Sequence, residues 1–150
     1  MEKLVVESSI IINAIAPKIW DALVNPEHTK KYMFGCKTVS EWKVGSPLLW
    51  NALHEGKEIT FVKGIIAAIV PDKLLTYTVI DPNSPMPDIP ENYLTVTYKL
   101  WAENGLTKLT VLQDGFEGAA GGQKRYQEVY NNGEGWNPIL VQIKELVESM

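Results

Sequence analysis

The C-terminal stretch Gly135 to Met150, GWNPILVQIKELVESM, constrains this chain more than any other. Its apolar residues Trp136, Ile139, Leu140, Ile143, Leu146 and Val147 recur at three- and four-residue steps, which puts them on one face of an α-helix. Gln142, Lys144, Glu145 and Glu148 fall on the opposite face. Pro138 suits the first turn, where backbone N–H groups have no intrahelical acceptor. A helix with one apolar stripe has to be covered along that stripe. Most of the preceding chain reads as strand, so the cover is a sheet.

Leu4 to Ala14 is rich in Val and Ile and reads as a first strand, without the clean alternation that would say which face is inward. Ala16-Pro17 opens a helix through Ile19, Trp20, Leu23 and Val24. Asn25-Pro26 breaks it, and a second short helix passes through His28, Lys30 and Lys31 to end between Tyr32 and Gly35. Strand character returns from Thr38 to Val44, before a turn at Gly45-Ser46-Pro47. Leu48, Trp50 and Ala52 then share one face of a strand, because the strand period is two. His54-Glu55-Gly56-Lys57 reads as a hairpin turn, Ile59 to Val70 as a long strand, and Pro71-Asp72 as the next turn. Leu75, Tyr77 and Val79 line one face of the strand that follows.

Asp81 to Glu91, DPNSPMPDIPE, holds four prolines and reads as a stiff acidic loop, since proline cannot donate to a strand ladder. The clearest alternation in the chain comes next, with Leu94, Val96, Tyr98 and Leu100 on one face. After a turn at Glu103-Asn104-Gly105, the last strand places Leu109, Val111 and Gln113 together. Gly118 to Gly122 is a break, and Lys124 to Tyr130 is helical until Asn131-Asn132-Gly133 interrupts it. The expected order is one strand, two short helices, about six antiparallel strands in meander order and a long final helix, an α+β arrangement.

At 150 residues the chain is expected to form one domain, 1–150, with room for a proper core. A net charge of −4 leaves no basic footprint for nucleic acid. Cys36 is the only cysteine, which excludes an internal disulfide and a cysteine-rich zinc site. With no secretory leader legible at the N-terminus, the expected location is cytoplasmic. No apolar window approaches the length of a membrane span, so no membrane insertion is expected.

Residues that carry chemistry are sparse. His28 and His54 belong to no metal-ligand pattern, and Cys36 has no activating partner in sequence. No carboxylate falls on an inward strand face, so no acid/base dyad is legible. The glycines between Gly115 and Gly122 lack the strand–GxxxxGK[ST]–helix order of a phosphate loop. No catalytic residue, metal or cofactor is therefore expected. Strand parity instead collects Leu48, Trp50, Tyr77, Val79, Val96, Tyr98, Leu109, Val111 and Gln113 on one wall, closed by Trp136, Leu140 and Ile143. A mostly apolar chamber with a few polar handles, here Tyr77, Tyr98, Gln113 and the Trp50 indole, is the pattern of a small-molecule site. A filled core, its phenols and amide satisfied internally, is the other reading of the same residues.

Five segments in chain order resemble one family. IIINAIAPKIWDALVNPEH, with Ala16-Pro17, Trp20-Asp21-Ala22-Leu23 and Pro26-Glu27-His28, resembles the opening of the SRPBCC (START-like) superfamily, in its activator of heat-shock-protein-90 ATPase homologue-like branch. SEWKVGSPLLW is similar to that branch's turn into an aromatic strand, with Ser46 replacing a glycine; PDKLLTYTV is similar to a later strand, with Val79 where tryptophan is common. LTKLTVLQDGF and GWNPILVQIKEL complete the likeness.

The resemblance implies a helix-grip fold, a curved sheet of six to seven strands around the C-terminal helix with two short helices after the first strand. It also implies a hydrophobic cavity between sheet and helix, and hence binding of a small hydrophobic or amphipathic molecule. Two alternatives attach to the same family. One, of a kind found elsewhere in the superfamily, is a polyketide cyclase or dehydratase-like enzyme using a tyrosine or water as proton relay; the other is a chaperone-associated stress-response protein. The family's namesake co-chaperone carries a further docking domain, for which this chain has no room. Ser46, Val79 and the proline-rich loop, with Met86 and Ile89, are the expected places for a reshaped mouth, a lid or a contact surface. Monomer and edge-paired homodimer are both compatible with the pattern.

Overall fold

A computed structural model describes residues 3–150; Met1 and Glu2 of the N-terminal segment lie outside the described residues. Strand β1 (Val6–Ile12) is followed by helices α1 (Ala16–Val24) and α2 (Pro26–Tyr32). Strands β2 (Lys37–Ser40), β3 (Pro47–His54), β4 (Lys57–Val70), β5 (Leu74–Val79), β6 (Leu94–Glu103) and β7 (Leu106–Asp114) come next. Helices α3 (Gly122–Tyr130) and α4 (Asn137–Glu148) end the chain, and short 3-10 turns occupy Pro90–Asn92 and Asn131–Gly133. The strands form one seven-stranded antiparallel sheet in the order β1-β7-β6-β5-β4-β3-β2. Strands β2 to β7 are thus a meander, and β1 returns beside β7. With α4 packed along one face, this is the α+β helix-grip fold.

Inward residues alternate as the strand period requires. Leu94, Val96, Tyr98 and Leu100 of β6 are buried, as are Leu109, Val111 and Gln113 of β7. Pairing with β7 settles the inward face of β1: Val6 lies opposite Gln113 and Ser8 opposite Val111, and both are buried. The α4 stripe buries Leu140, Ile143 and Val147, and each fully buried side chain of this size contributes about 1.5–3 kcal/mol.

Several boundaries differ from the sequence reading. Strand β1 is shorter than Leu4 to Ala14. Strand β2 stops at Ser40 instead of Val44, because Trp42 sits at φ 58° in the left-handed region and turns the chain out of the ladder. Helix α4 starts at Asn137, with Trp136 at its N-cap position and Pro138 in its first turn. Ala52, expected on the inner face, is only half-buried.

Strand β4 shapes the sheet. Trp50 pairs with Val62 but Asn51 with Thr60, which leaves Phe61 as an extra residue; Ile66 pairs with Tyr77 but Ala68 with Thr76, which leaves Ala67 as another. Two bulges bend one long strand and increase its twist, wrapping the sheet toward α4. Between them, β4 and β5 approach so closely at Gly64 that a Cβ there would lie 1.6 Å from the Thr78 carbonyl oxygen.

Hydrogen bonds fix the helices over this surface. The Tyr32 hydroxyl donates to the Ala22 carbonyl at 2.7 Å, and Thr38 Oγ1 donates to the Val24 carbonyl at 2.7 Å, locking α1, α2 and β2 together. At the other end, the Trp136 N–H donates to Ser8 Oγ at 3.2 Å and Lys144 Nζ to the Ile11 carbonyl at 2.8 Å, so α4 is pinned to β1 along its length.

Candidate functional site

Between the inner face of the sheet and the loop after α2 lies a cavity of about 220 Å³. The sheet contributes Trp50 from β3, Val62 from β4, Tyr77 and Val79 from β5, Val96 from β6 and Gln113 from β7. Trp136 closes the end nearest α4, and Met33, Phe34 and Cys36 close the loop side. Tyr77, Val96 and Gln113 are direct neighbours across three adjacent strands. Strands lie about 4.8 Å apart, so the small Val96 between two long polar side chains makes the floor of a recess.

Of the residues that strand parity collects, the structure brings Trp50, Tyr77, Val79, Val96, Gln113 and Trp136 around this chamber. Leu48, Tyr98, Leu109, Val111, Leu140 and Ile143 are buried in the core without reaching its wall. Parity selects a face; it does not say which part of that face the helices leave uncovered. Met33, Phe34, Cys36 and Val62 escaped the sequence reading. The bulge at Phe61 hides the inward phase of β4, while the apolar Met33-Phe34 pair at a helix end was a legible signal.

Phe34 is the least ordinary of these. Its side chain is 86% exposed and its backbone sits at φ 54°, in the left-handed region that a bulky side chain seldom occupies. An aromatic ring thus stands at the chamber mouth. Its backbone is held by the end of α2, where the Met33 N–H donates to the Thr29 carbonyl and the Gly35 N–H to that of Lys30.

The polar groups of the wall are paired in a definite way. The Tyr77 and Tyr98 hydroxyls lie 2.9 Å apart, with ring centroids 5.6 Å apart. Trp50 packs on Tyr77 at 6.0 Å, and Trp136 meets Tyr98 edge-on at 6.0 Å, so four aromatic rings run from β3 to the start of α4. The Trp136 indole N–H donates to Gln113 Oε1 at 2.9 Å. An indole nitrogen can only donate, which fixes the amide oxygen toward Trp136 and turns the amide nitrogen away.

Burial holds the phenols of Tyr77 and Tyr98 well above their ordinary pKa, and the proximity of Tyr98 adds to the effect on Tyr77. Burial also pushes the Cys36 thiol up. Among the described residues, no Asp, Glu, Lys or Arg lines the chamber, so the wall they form carries no charged side chain. Such a wall can bind and orient a small molecule.

The other sequence candidates sit elsewhere. His28 Nε2 is 3.0 Å from Asp21 Oδ2 across the α1–α2 corner, and His54 is exposed in the β3–β4 hairpin, edge-on to Phe61. Among the described residues, no group of three or more His, Cys, Asp and Glu is placed to hold a metal ion. The Asp81 to Glu91 loop contributes no residue to the chamber wall. It is tied by Asp88 to Lys63 and Tyr93, and by Asn92 to Pro87 and Ala120. Val79 does line the chamber, whereas Ser46 serves its turn, donating to the Lys43 carbonyl at 2.7 Å.

A seven-stranded antiparallel sheet gripping a C-terminal helix defines the class of this protein. The chain belongs to the Activator of Hsp90 ATPase homolog 1-like protein family, whose profile matches residues 13–148. A solution structure of a protein from Cytophaga hutchinsonii is 36% identical, covers 99% of this chain and 97% of its own, and superposes with a TM-score of 0.75. The Aha1 dimer from Colwellia psychrerythraea is 16% identical over 96% of each chain, with a TM-score of 0.67. An HSP90 activator from Plasmodium falciparum is 14% identical over 97% of this chain and 96% of its own, with a TM-score of 0.68. At these last two identities the likeness is one of fold. No curated protein sequence matches the chain. Among the described residues, no helix is long and apolar enough to cross a membrane.

Proposed function

We propose that the chain is a one-domain, cytoplasmic binding protein that takes a small, mainly apolar molecule into the chamber between sheet and helix. The observation that carries this reading is the chamber wall itself, aromatic and aliphatic, uncharged, and bounded at its mouth by the exposed Phe34. Ligand sites for drug-sized molecules run to about 300–1,000 Å³, and an apolar cavity of about 150 Å³ holds a benzene-sized molecule. At about 220 Å³ this chamber suits a compact molecule of one or two rings. Trp50, Tyr77 and Trp136 supply contact area, while Gln113 and the Tyr77–Tyr98 pair orient the occupant. A neutral phenol pair and an unactivated thiol support binding over turnover. The single free thiol, Cys36, supports a reducing compartment.

Native mass spectrometry of protein purified gently from its own host tests this. The expected result is a reproducible extra mass that leaves on denaturation and is absent from Val96→Phe, which fills the recess floor without opening a cavity. An extra mass retained unchanged by folded Val96→Phe protein would place the ligand outside the chamber.

A further inference from the structure

Among the described residues, the side-chain nitrogens on the chamber wall that lack a partner are donors. The Trp136 indole occupies Gln113 Oε1, so Gln113 presents its amide nitrogen, which has no hydrogen-bond partner among the described residues. The Trp50 indole N–H likewise has none, and an indole nitrogen can only donate. Neither nitrogen is sealed in protein: among the described residues the only fully enclosed side-chain polar atom without a partner is His28 Nδ1. The tyrosine pair adds a third donor. Two hydroxyls bring two protons, and one hydrogen bond between them uses one. Either hydroxyl can donate to the other; when Tyr98 donates, the Tyr77 proton is free, and of the two tyrosines Tyr77 is the one that lines the chamber.

Resting on the binding reading above, we infer that the ligand is a neutral, ring-sized molecule bearing a carbonyl-type oxygen, which accepts from the Gln113 amide and from Tyr77 or Trp50. A purely hydrocarbon occupant would leave these donors buried and unpaired, at the full desolvation cost of each. An anionic acceptor is disfavoured, because among the described residues no cationic side chain lines the wall to compensate a buried charge. An alcohol or amine whose role is to donate finds oxygens already engaged, that of Gln113 by the Trp136 indole and that of Tyr77 by the tyrosine pair. Tyr77, Val96 and Gln113 lie in one row across the sheet, so the oxygen has its seat above Val96, with a donor on either side.

The test uses two probes of matched shape, acetophenone and ethylbenzene, titrated into the full chain and followed by the side-chain N–H signals in nitrogen–proton correlation spectra. Both are expected to shift the Trp136 indole signal, since both enter the chamber. Acetophenone alone is expected to move the Gln113 side-chain amide downfield. Gln113→Leu is expected to weaken acetophenone about tenfold while leaving ethylbenzene within about twofold, the size expected for loss of one or two neutral hydrogen bonds. Tyr77→Phe, which keeps the ring, gives a second and gentler version of the same contrast. The inference is overturned if both probes enter but neither substitution changes their affinity ratio and the Gln113 amide does not move. If neither probe shifts the Trp136 indole up to its solubility limit, the chamber reading falls and takes this inference with it.

Discussion

At the scale of single residues, Phe34 concentrates the tension between stability and function. Left-handed backbone costs about 1–2 kcal/mol for a residue with a Cβ, and nothing buries the ring in return. Phe34→Gly relieves that strain but adds unfolded-chain entropy worth about 0.5–1 kcal/mol, so the net effect on stability is close to zero or slightly favourable. Ligand affinity is expected to fall, because an aromatic wall of the mouth is lost. Chemical denaturation beside a binding titration checks both halves; a clear loss of stability with unchanged binding would make Phe34 a structural residue. The sequence revealed Trp50, Tyr77, Val96 and Gln113 as neighbours because they sit in strands whose period is fixed. Phe34 belongs to a loop whose direction depends on one backbone angle, which no periodicity encodes. Tyr98 shows the opposite limit: correctly inward, yet it meets the chamber only through its neighbours, the Tyr77 hydroxyl and the Trp136 ring.

At the scale of elements, β4 explains why the sheet's order was easier to read than its curvature. Hairpin turns such as His54-Glu55-Gly56-Lys57 announce themselves, with Glu55 at φ 52° and Gly56 at φ 80° between paired ends. Strands β6 and β7 alternate openly because one face is buried. The two bulges in β4 leave no residue-type signature; they break the alternation there, so alternation alone does not put Val62 on the inner wall. Gly64 was the available clue, since a glycine inside a strand often marks a close backbone approach. A Cβ at Gly64 would overlap the Thr78 carbonyl, so Gly64→Ala has to push β4 and β5 apart. We expect it to cost about 1–3 kcal/mol or more and to broaden signals along both strands. Wild-type stability in Gly64→Ala would show that the β4–β5 crossing is looser than the geometry requires.

At the scale of the whole molecule, the same burial that keeps the chamber uncharged makes the fold sensitive to alkali. The phenols of Tyr32, Tyr77 and Tyr98 are each raised by burial. In the unfolded chain they ionise near pH 10. Above that pH the unfolded chain binds fewer protons than the folded one, so the free energy of unfolding falls as pH rises. Stability is expected to be level through neutral pH and to decline above about pH 10, with these three phenols ionising only as the protein unfolds. Ionisation of all six tyrosines in a still-folded protein would contradict the packing described.

Entry of a small apolar molecule between sheet and helix has a direct readout in the five tryptophans. Trp50 and Trp136 line the chamber, while Trp20 and Trp42 do not and Trp101 is 69% exposed. Fluorine NMR of the chain carrying 5-fluorotryptophan, titrated with ethylbenzene, separates the five positions once single Trp→Phe variants assign them. The expected result is saturable shifts at Trp50 and Trp136 with the other three unmoved. Shifts confined to Trp20, Trp42 or Trp101, or none at any position up to the probe's solubility, would contradict it.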